Sequence, residues 1–281
     1  MKPELLVFTN GYEGTWPSIE YAAWLAGKMQ IEITLVGVIE PQDEKHPVEE
    51  MFSRAVGFFQ EQGVRYRLEL KYGPAEDVIA KTARNDPLQL FVFGPFGRSS
   101  LRRMMVGRSF RQIMSEVVNP ILYVPVMRLP IQKVLICLGG LDYVMTAENL
   151  GLKVAQMTGA GVTFLHVVPP VDLDYPEARN IRENWQRLAE TDTLPGRTLR
   201  KGLQMARELG LQAKVRTRNG NIIEEILAEL KENQYDLICM GSQFSSHSLR
   251  QLYSPNVTAD IAETANFPIL MARYQGTAGT N

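Results

Sequence analysis

The sequence predicts an α/β protein made of two tandem, doubly wound domains, each with a parallel sheet and helices on both faces. Three observations support this class. Short apolar runs of β-forming residues alternate with segments of helical period. The order of these elements repeats after the interruption MRLPIQK. Glycines and prolines recur at matching spacings in the two halves, which is typical of a duplicated domain.

The first copy contains five predicted strands separated by helices. The strands are ELLVFT, ITLVGVI, YRLELKY, LFVFG and ILYVPV. Helices are predicted at 16–29 and 48–62, a third opens at Pro74, and a fourth follows Gly107. Strands that are apolar almost throughout favour a parallel sheet covered on both faces.

The second copy repeats this order. Its predicted strands are KVLICLGG, VTFLHVV, AKVRTR, DLICMG and PILMAR. Its predicted helices span 144–158, 198–209 and 222–231, and a last helix follows Pro255. This copy carries extra chain at 169–195, which we expect to extend the region before its second helix and to cover a neighbouring surface.

Matched spacings support a tandem duplication. Gly73 precedes Gly94 by 21 residues, and Gly220 precedes Gly241 by 21 residues. The copies also end alike, in NPILYV and FPILMA. We therefore predict domains at 1–127 and 131–275, followed by a disordered tail at 276–281.

Composition excludes several functional classes. Hydrophobic residues make up 45% of the chain, charged residues 22%, and the formal net charge is -1. These values are typical of a globular protein and give no electrostatic footprint for nucleic acid or a membrane surface. Every apolar run is shorter than the roughly 18 residues that a membrane span requires. With no basic leader at the start of the chain, we expect a cytoplasmic location.

The sequence predicts neither a metal site nor a catalytic site. Cys137 and Cys239 lie in apolar runs, where a thiol behaves as a small buried hydrophobe, and neither has a second ligand at metal spacing. His46, His166 and His247 are scattered. A GxxxxGK[ST] motif is missing, so efficient nucleotide hydrolysis is not expected.

The segment GPFGRSSLRRMMVGRS is the candidate ligand-binding loop. Gly94, Gly97 and Gly107 give the spacing G-x2-G-x9-G. Glycines let backbone N–H groups approach phosphate oxygens, and the helix expected after Gly107 favours an anion at its N-terminus. The arginines of this loop, Arg98 and Arg108 among them, either neutralise a polyphosphate or form a solvated start of that helix.

These residues resemble the universal stress protein family, and the resemblance covers both copies. Its marks are a domain of about 130 residues, the glycine spacing and the ending NPILYVPV. The resemblance implies a Rossmann-like, adenine nucleotide alpha hydrolase-like fold with a five-stranded parallel sheet of order 3-2-1-4-5. It also implies a role in the stress response, with ATP binding in members that carry the glycine motif.

The resemblance assigns site residues in the first copy. Asn10 stands where ATP-binding members have an acid, and Val38 matches a valine that packs near the adenine. Phe93 precedes Gly94 at a usually apolar position. Arg108 replaces the small hydroxyl residue after the third glycine, and Ser109 follows it. The ligand implied is ATP or another adenine nucleotide, with magnesium.

The second copy departs further from the motif. Gly241 is kept, but Phe244 and Pro255 stand where the second and third glycines belong. Gly139 takes the place of the first-strand acid, and Asp142 lies three residues further on. Because Pro255 suits a helix start but cannot form a backbone cradle, nucleotide binding is expected in the first copy only.

These observations lead to three functional hypotheses. The first is a cytoplasmic, non-enzymatic stress-response regulator that binds an adenine nucleotide in its first copy. The second is an interaction or dimerisation module with a degenerate site, and the third, least favoured, is a weak ATP hydrolase. We expect an intramolecular pseudo-dimer of the two copies through their last strands, a homodimer or unknown protein partners, and neither nucleic acid nor a membrane.

Overall fold

A computed structural model of the chain describes residues 4–40, 47–83, 89–97, 113–114, 116–139, 146–170, 176–242 and 257–273. The chain divides into two compact units. The first unit is Met1–Leu129 with Asn266–Ile269, and the second is Pro130–Ala265 with Leu270–Asn281. Each unit is built on a parallel sheet, as the sequence predicts.

Five parallel strands form the sheet of the first unit. They are β1 (Glu4–Thr9), β2 (Glu32–Ile39), β3 (Tyr66–Tyr72), β4 (Leu90–Phe93) and β5 (Ile121–Tyr123). The helices are α1 (Trp16–Met29), α2 (Val48–Glu61) and α3 (Ala75–Ala83), and the 3-10 turn η1 (Glu13–Thr15) precedes α1. The strand order is β3-β2-β1-β4-β5, with parallel pairs throughout. The predicted order 3-2-1-4-5 is therefore confirmed.

The core of the first unit follows from the apolar character of its central strands. Leu5, Val7 and Phe8 of β1 are at most 1% exposed, because the strand is covered on both faces. Phe8 packs against Phe91 of β4 with ring centroids 5.1 Å apart. By contrast, β3 pairs only with β2 among the described strands, and most of its residues are exposed.

The second unit repeats the same arrangement. Its strands are β6 (Lys133–Cys137), β7 (Gly161–Val168), β8 (Ala213–Asn219), β9 (Leu237–Ser242) and β10 (Ile269–Arg273), in the order β10-β9-β6-β7-β8. Its helices are α4 (Thr146–Thr158), α5 (Pro176–Glu183), α6 (Leu194–Glu208), α7 (Ile222–Glu232) and α8 (Val257–Thr264). The pairs of β6 with β7, β6 with β9 and β7 with β8 are parallel.

The extra chain of the second unit folds over the edge of its sheet. It contains α5 and the 3-10 segment η2 (Trp185–Glu190), which lies against both α6 and β8. Leu188 of η2 is fully buried. The prediction that this segment covers a neighbouring surface is confirmed.

The predicted start of α6 at residue 198 is wrong. The helix begins at Leu194, where the Thr193 hydroxyl accepts a hydrogen bond from the Gly196 amide at 3.3 Å. Pro195 then occupies the first turn, where its missing N–H has no cost.

Some sequence predictions fall on residues that the structure does not describe. The predicted tail at 276–281 and most of the helix predicted after Gly107 lie outside the described residues. In the described ranges, every helix is too short or too polar to cross a membrane.

Candidate functional site

The candidate site lies at the carboxyl ends of β1, β2 and β4. β1 pairs with β2 on one side and with β4 on the other, and Phe8 of β1 lies opposite Phe93 of β4. The chain leaves these neighbouring strands in opposite directions along the sheet, which opens a crevice between their ends. Asn10 and Gly94 are the first residues after β1 and β4.

Asn10 connects the three loops around this crevice. Its side chain is 2% exposed. The Nδ2 group donates to Glu40 Oε2 at 3.2 Å and to the Phe96 carbonyl at 3.1 Å, while Oδ1 accepts from the Tyr12 amide at 3.3 Å. Both N–H groups of the amide and one lone pair of its oxygen are therefore used within the protein.

Glu40 is the second buried polar group of the crevice. It is 7% exposed, and Oε1 accepts from the Ala75 amide at 2.8 Å, at the first residue of α3. A carboxylate is favourable at a helix N-terminus. Because Oε2 lies next to Asn10, an aspartate at position 10 would place two carboxylates side by side. The neutral side chain of Asn10 is thus matched to Glu40.

The loop after β1 is held in a fixed conformation by hydroxyl groups. The Thr9 and Thr15 hydroxyls lie 2.6 Å apart, and the Thr15 hydroxyl donates to the Tyr12 carbonyl at 2.7 Å. Gly97 has φ +65°, and a Cβ added there would overlap the Tyr12 ring; a Cβ at Gly14 would overlap the same ring. The Tyr12 ring is therefore wedged between the loops that follow β1 and β4.

Gly94 is required by backbone packing. A Cβ at this position would lie 2.9 Å from the Gly14 carbonyl oxygen and 3.0 Å from the Val124 carbonyl oxygen. Both contacts are with main-chain atoms, which cannot turn aside as a side chain can. The close approach of three chain segments explains this glycine without a ligand.

Comparison with known proteins identifies the family. A family model described as the universal stress protein family matches residues 4–125 and 130–273. The chain belongs to the universal stress protein family. No curated protein was found to match it.

Solved structures agree with the fold of this universal stress protein. A universal stress protein from Archaeoglobus fulgidus DSM 4304 is 17% identical, with 97% of each chain covered and a TM-score of 0.67. A functionally unknown protein from Pseudomonas aeruginosa PAO1 is 12% identical, with 96% of this chain and 92% of that chain covered and a TM-score of 0.65. At these identities the likeness concerns the fold alone.

The structure brings some of the predicted site residues together. Asn10, Gly94 and Gly97 surround the crevice, whereas Val38 and Phe93 are at most 1% exposed inside β2 and β4. A role for these five residues in ligand binding stays a prediction. The other predicted site residues lie outside the described ranges, and they are Arg98, Gly107, Arg108 and Ser109.

Sequence reasoning missed Glu40 and Tyr12. Glu40 follows the buried strand β2 directly, so a signal was present: a carboxylate at the strand end that faces the expected crevice. Tyr12 lies two residues after Asn10, and nothing in the sequence indicates that its ring packs on Gly97 rather than pointing into solvent.

The corresponding edge of the second unit has different chemistry. Gly139 and Gly241 are exposed, and a Cβ at either would meet no heavy atom of the described residues within 4 Å. His166 is 8% exposed, and its Nδ1–H donates to the Leu138 carbonyl at 2.9 Å. Burial lowers the pKa of His166, although its backbone hydrogen bond opposes the shift, and this favours the neutral ring.

A half-buried glutamate, one of whose carboxylate oxygens is fully buried, lies near the start of α4 in the second unit. Glu148 Oε2 has no hydrogen-bond partner among the described residues. Burial raises the pKa of Glu148 to about 7, and the charge of Lys201 opposes this shift. In the described ranges, His, Cys, Asp and Glu side chains form no group that could hold a metal ion. Asp142, Phe244 and Pro255 lie outside those ranges.

Proposed function

We propose that this chain is a cytoplasmic, non-enzymatic regulator of the stress response that acts through protein contacts, and that the crevice of its first unit is closed to a nucleoside. The observation that carries this proposal is the buried network of Asn10, Glu40 and the Ala75 amide. These polar groups satisfy one another, so a ribose hydroxyl that binds Asn10 or Glu40 must compete with hydrogen bonds already made within the protein.

The energetic cost of opening this network supports the proposal. A ribose hydroxyl that recruits Asn10 must replace its hydrogen bonds to Glu40 and to the Phe96 carbonyl. A buried polar group left without its partner costs about 1–3 kcal/mol. The Tyr12 ring would also have to leave the space above Gly97. Both costs reduce the affinity for a nucleotide.

Titration with nucleotides tests the closed crevice. Thermal unfolding of the full chain is followed with millimolar ATP or AMP, with and without magnesium, and we expect an unchanged midpoint. Gly107→Trp serves as the matched control, because it blocks the loop that the family uses. A midpoint that rises in the wild type and returns to its ligand-free value in Gly107→Trp would contradict the proposal.

Adenine nucleotide binding in the first unit is the second candidate. It is favoured by the complete glycine spacing and by the positive φ of Gly97, since backbone of this kind forms concave sites for anions. In this case the Tyr12 ring acts as a movable cover. Tyr12→Ala should then strengthen ATP binding measured by calorimetry, whereas a closed crevice predicts no heat of binding for either protein.

A further inference from the structure

The outer strand of the first unit carries an exposed apolar stripe. Leu68, Leu70 and Tyr72 alternate along β3 and are 40%, 46% and 75% exposed. Residues at alternate positions of a strand share one face of the sheet. Leu70 lies opposite Gly37 of β2, and a Cβ at Gly37 would overlap Phe52 of α2. The stripe is therefore on the face that carries α2, but beyond the area that α2 covers.

The same face is covered in the second unit. Val215 of β8 lies opposite Phe164 of β7, and Phe164 contacts α6 at Gly202. Segment η2 lies against α6 and β8, and Val215 and Thr217 are partly buried. Among the described residues of the first unit, no segment covers β3 in the way that η2 covers β8. The first unit thus leaves exposed the face of its outer strand that the second unit covers with η2.

The edge of β3 offers a template for another strand. In the described part of the chain β3 pairs with β2 on one side only. The N–H and C=O groups of its outer edge are available for a strand from another molecule. An apolar stripe beside such an edge is typical of an interaction surface rather than of a solvated face.

The side chains of β3 select the partner. In an antiparallel pairing of two copies centred on Leu70, Leu68 lies opposite Tyr72 of the second copy, and Glu69 lies opposite Lys71 of the second copy. Glu69 and Lys71 are about half exposed and 3.2 Å apart within one strand, so they can exchange partners without moving far. Both faces of β3 are therefore self-complementary.

Registers centred on Leu68, Glu69 or Lys71 each bring like charges together, and the first of these places Lys71 opposite Arg65. A pairing centred on Glu69 places that carboxylate opposite itself, and one centred on Lys71 does the same with two ammonium groups. Like charges directly opposite each other destabilise an antiparallel pair. We propose that two copies of this chain associate through β3, with Leu70 on the two-fold axis.

The counterpart strand β8 lacks the alternating acidic and basic residues of β3. On the face opposite η2 it carries Lys214, Arg216 and Arg218, all basic. Two-fold pairings of β8 centred on any residue from 214 to 218 would place basic residues opposite one another. The association is therefore specific to the first unit.

The oligomeric state of the full chain tests this proposal. Sedimentation equilibrium over a concentration series should give twice the chain mass for the wild type. Glu69→Lys alone, or Lys71→Glu alone, replaces two unlike pairs by two like pairs and should weaken the dimer about tenfold or more. Both residues are exposed, so the unfolding midpoint should stay close to that of the wild type.

Exchange of the two charges provides the decisive control. The double variant Glu69→Lys with Lys71→Glu restores unlike pairs and should recover wild-type dimerisation, and an equimolar mixture of the two single variants should form a heterodimer. Lys214→Glu on β8 should change nothing. A monomeric wild type, or a dimer that neither single reversal weakens, would overturn the proposal.

Discussion

The two units of this universal stress protein share one strand order but differ at the edge and at the carboxyl end of their sheets. The first unit pairs buried polar side chains at its crevice and leaves its outer strand exposed. The second covers its outer strand with extra chain, and its Gly139 and Gly241 meet no neighbouring atom among the described residues. Divergence after duplication has therefore changed loops and surfaces, while the sheet itself was kept.

The largest expected difference concerns the ion pairs of the two outer strands. In the second unit Glu229 is 1% exposed and accepts hydrogen bonds from Arg216, Arg218 and the Tyr235 hydroxyl. In the first unit Arg67 binds Glu4 and Glu32 at the surface and is 61% exposed. The network around Glu229 is sheltered from solvent, whereas solvent screens the ion pairs of Arg67.

Glu229→Ala should lower the free energy of unfolding of the second unit by about 3 kcal/mol, because the buried Tyr235 hydroxyl loses its acceptor, although Arg218 keeps Glu225 and Glu232. Denaturant unfolding measured by circular dichroism checks this. Arg67→Ala is the matched change on β3 and should have a small effect. An equal loss of unfolding free energy in both variants would show that the ion pairs of the two outer strands contribute equally to stability.

The next prediction compares the first glycines of the two loops. Gly94→Ala should destabilise the first unit by about 2–3 kcal/mol, because its Cβ would press on two carbonyl oxygens. Gly241→Ala, at the corresponding position, should have little effect, since a Cβ there meets no atom of the described residues within 4 Å. Thermal unfolding of both variants without ligand measures the difference. A neutral Gly94→Ala would remove the packing explanation for this glycine.

A third difference is a pH dependence of the second unit. Burial raises the pKa of Glu148 to about 7 from its ordinary 4.5, so the folded state binds a proton more tightly than the unfolded state. The stability due to Glu148 should therefore fall as the pH rises from about 4.5 to about 7. Glu148→Gln should remove this slope from thermal unfolding midpoints. The exposed Glu190→Gln should keep it, and a slope unchanged in Glu148→Gln would assign it to another group.

Much of the fold could be predicted from the sequence. The central strands were visible because strands buried on both faces are continuously apolar, as ELLVFT shows. The start of α6 was placed too late, because Pro195 and Gly196 look like loop residues unless the Thr193 cap is known. Helix ends depend on such single hydrogen bonds, which a periodic pattern does not contain.

The candidate site was predicted less completely. The glycine spacing of its loop can be recognised in the sequence. The hydrogen bond between Asn10 and Glu40 cannot, because it joins residues 30 positions apart. Such a contact depends on strand register, which the sequence does not state. Val38 and Phe93 illustrate the converse, since a buried strand residue looks the same with or without a ligand beside it.

The bond from the Ala75 amide to Glu40 has a consequence for spectroscopy. This amide proton is bound to the same carboxylate that holds Asn10, so its environment reports on the crevice from the opposite side. A molecule that displaces Asn10 changes the charge distribution on Glu40. The chemical shift of the Ala75 amide proton would then change, and so would its rate of exchange with solvent. Both changes would occur without direct contact between Ala75 and the bound molecule.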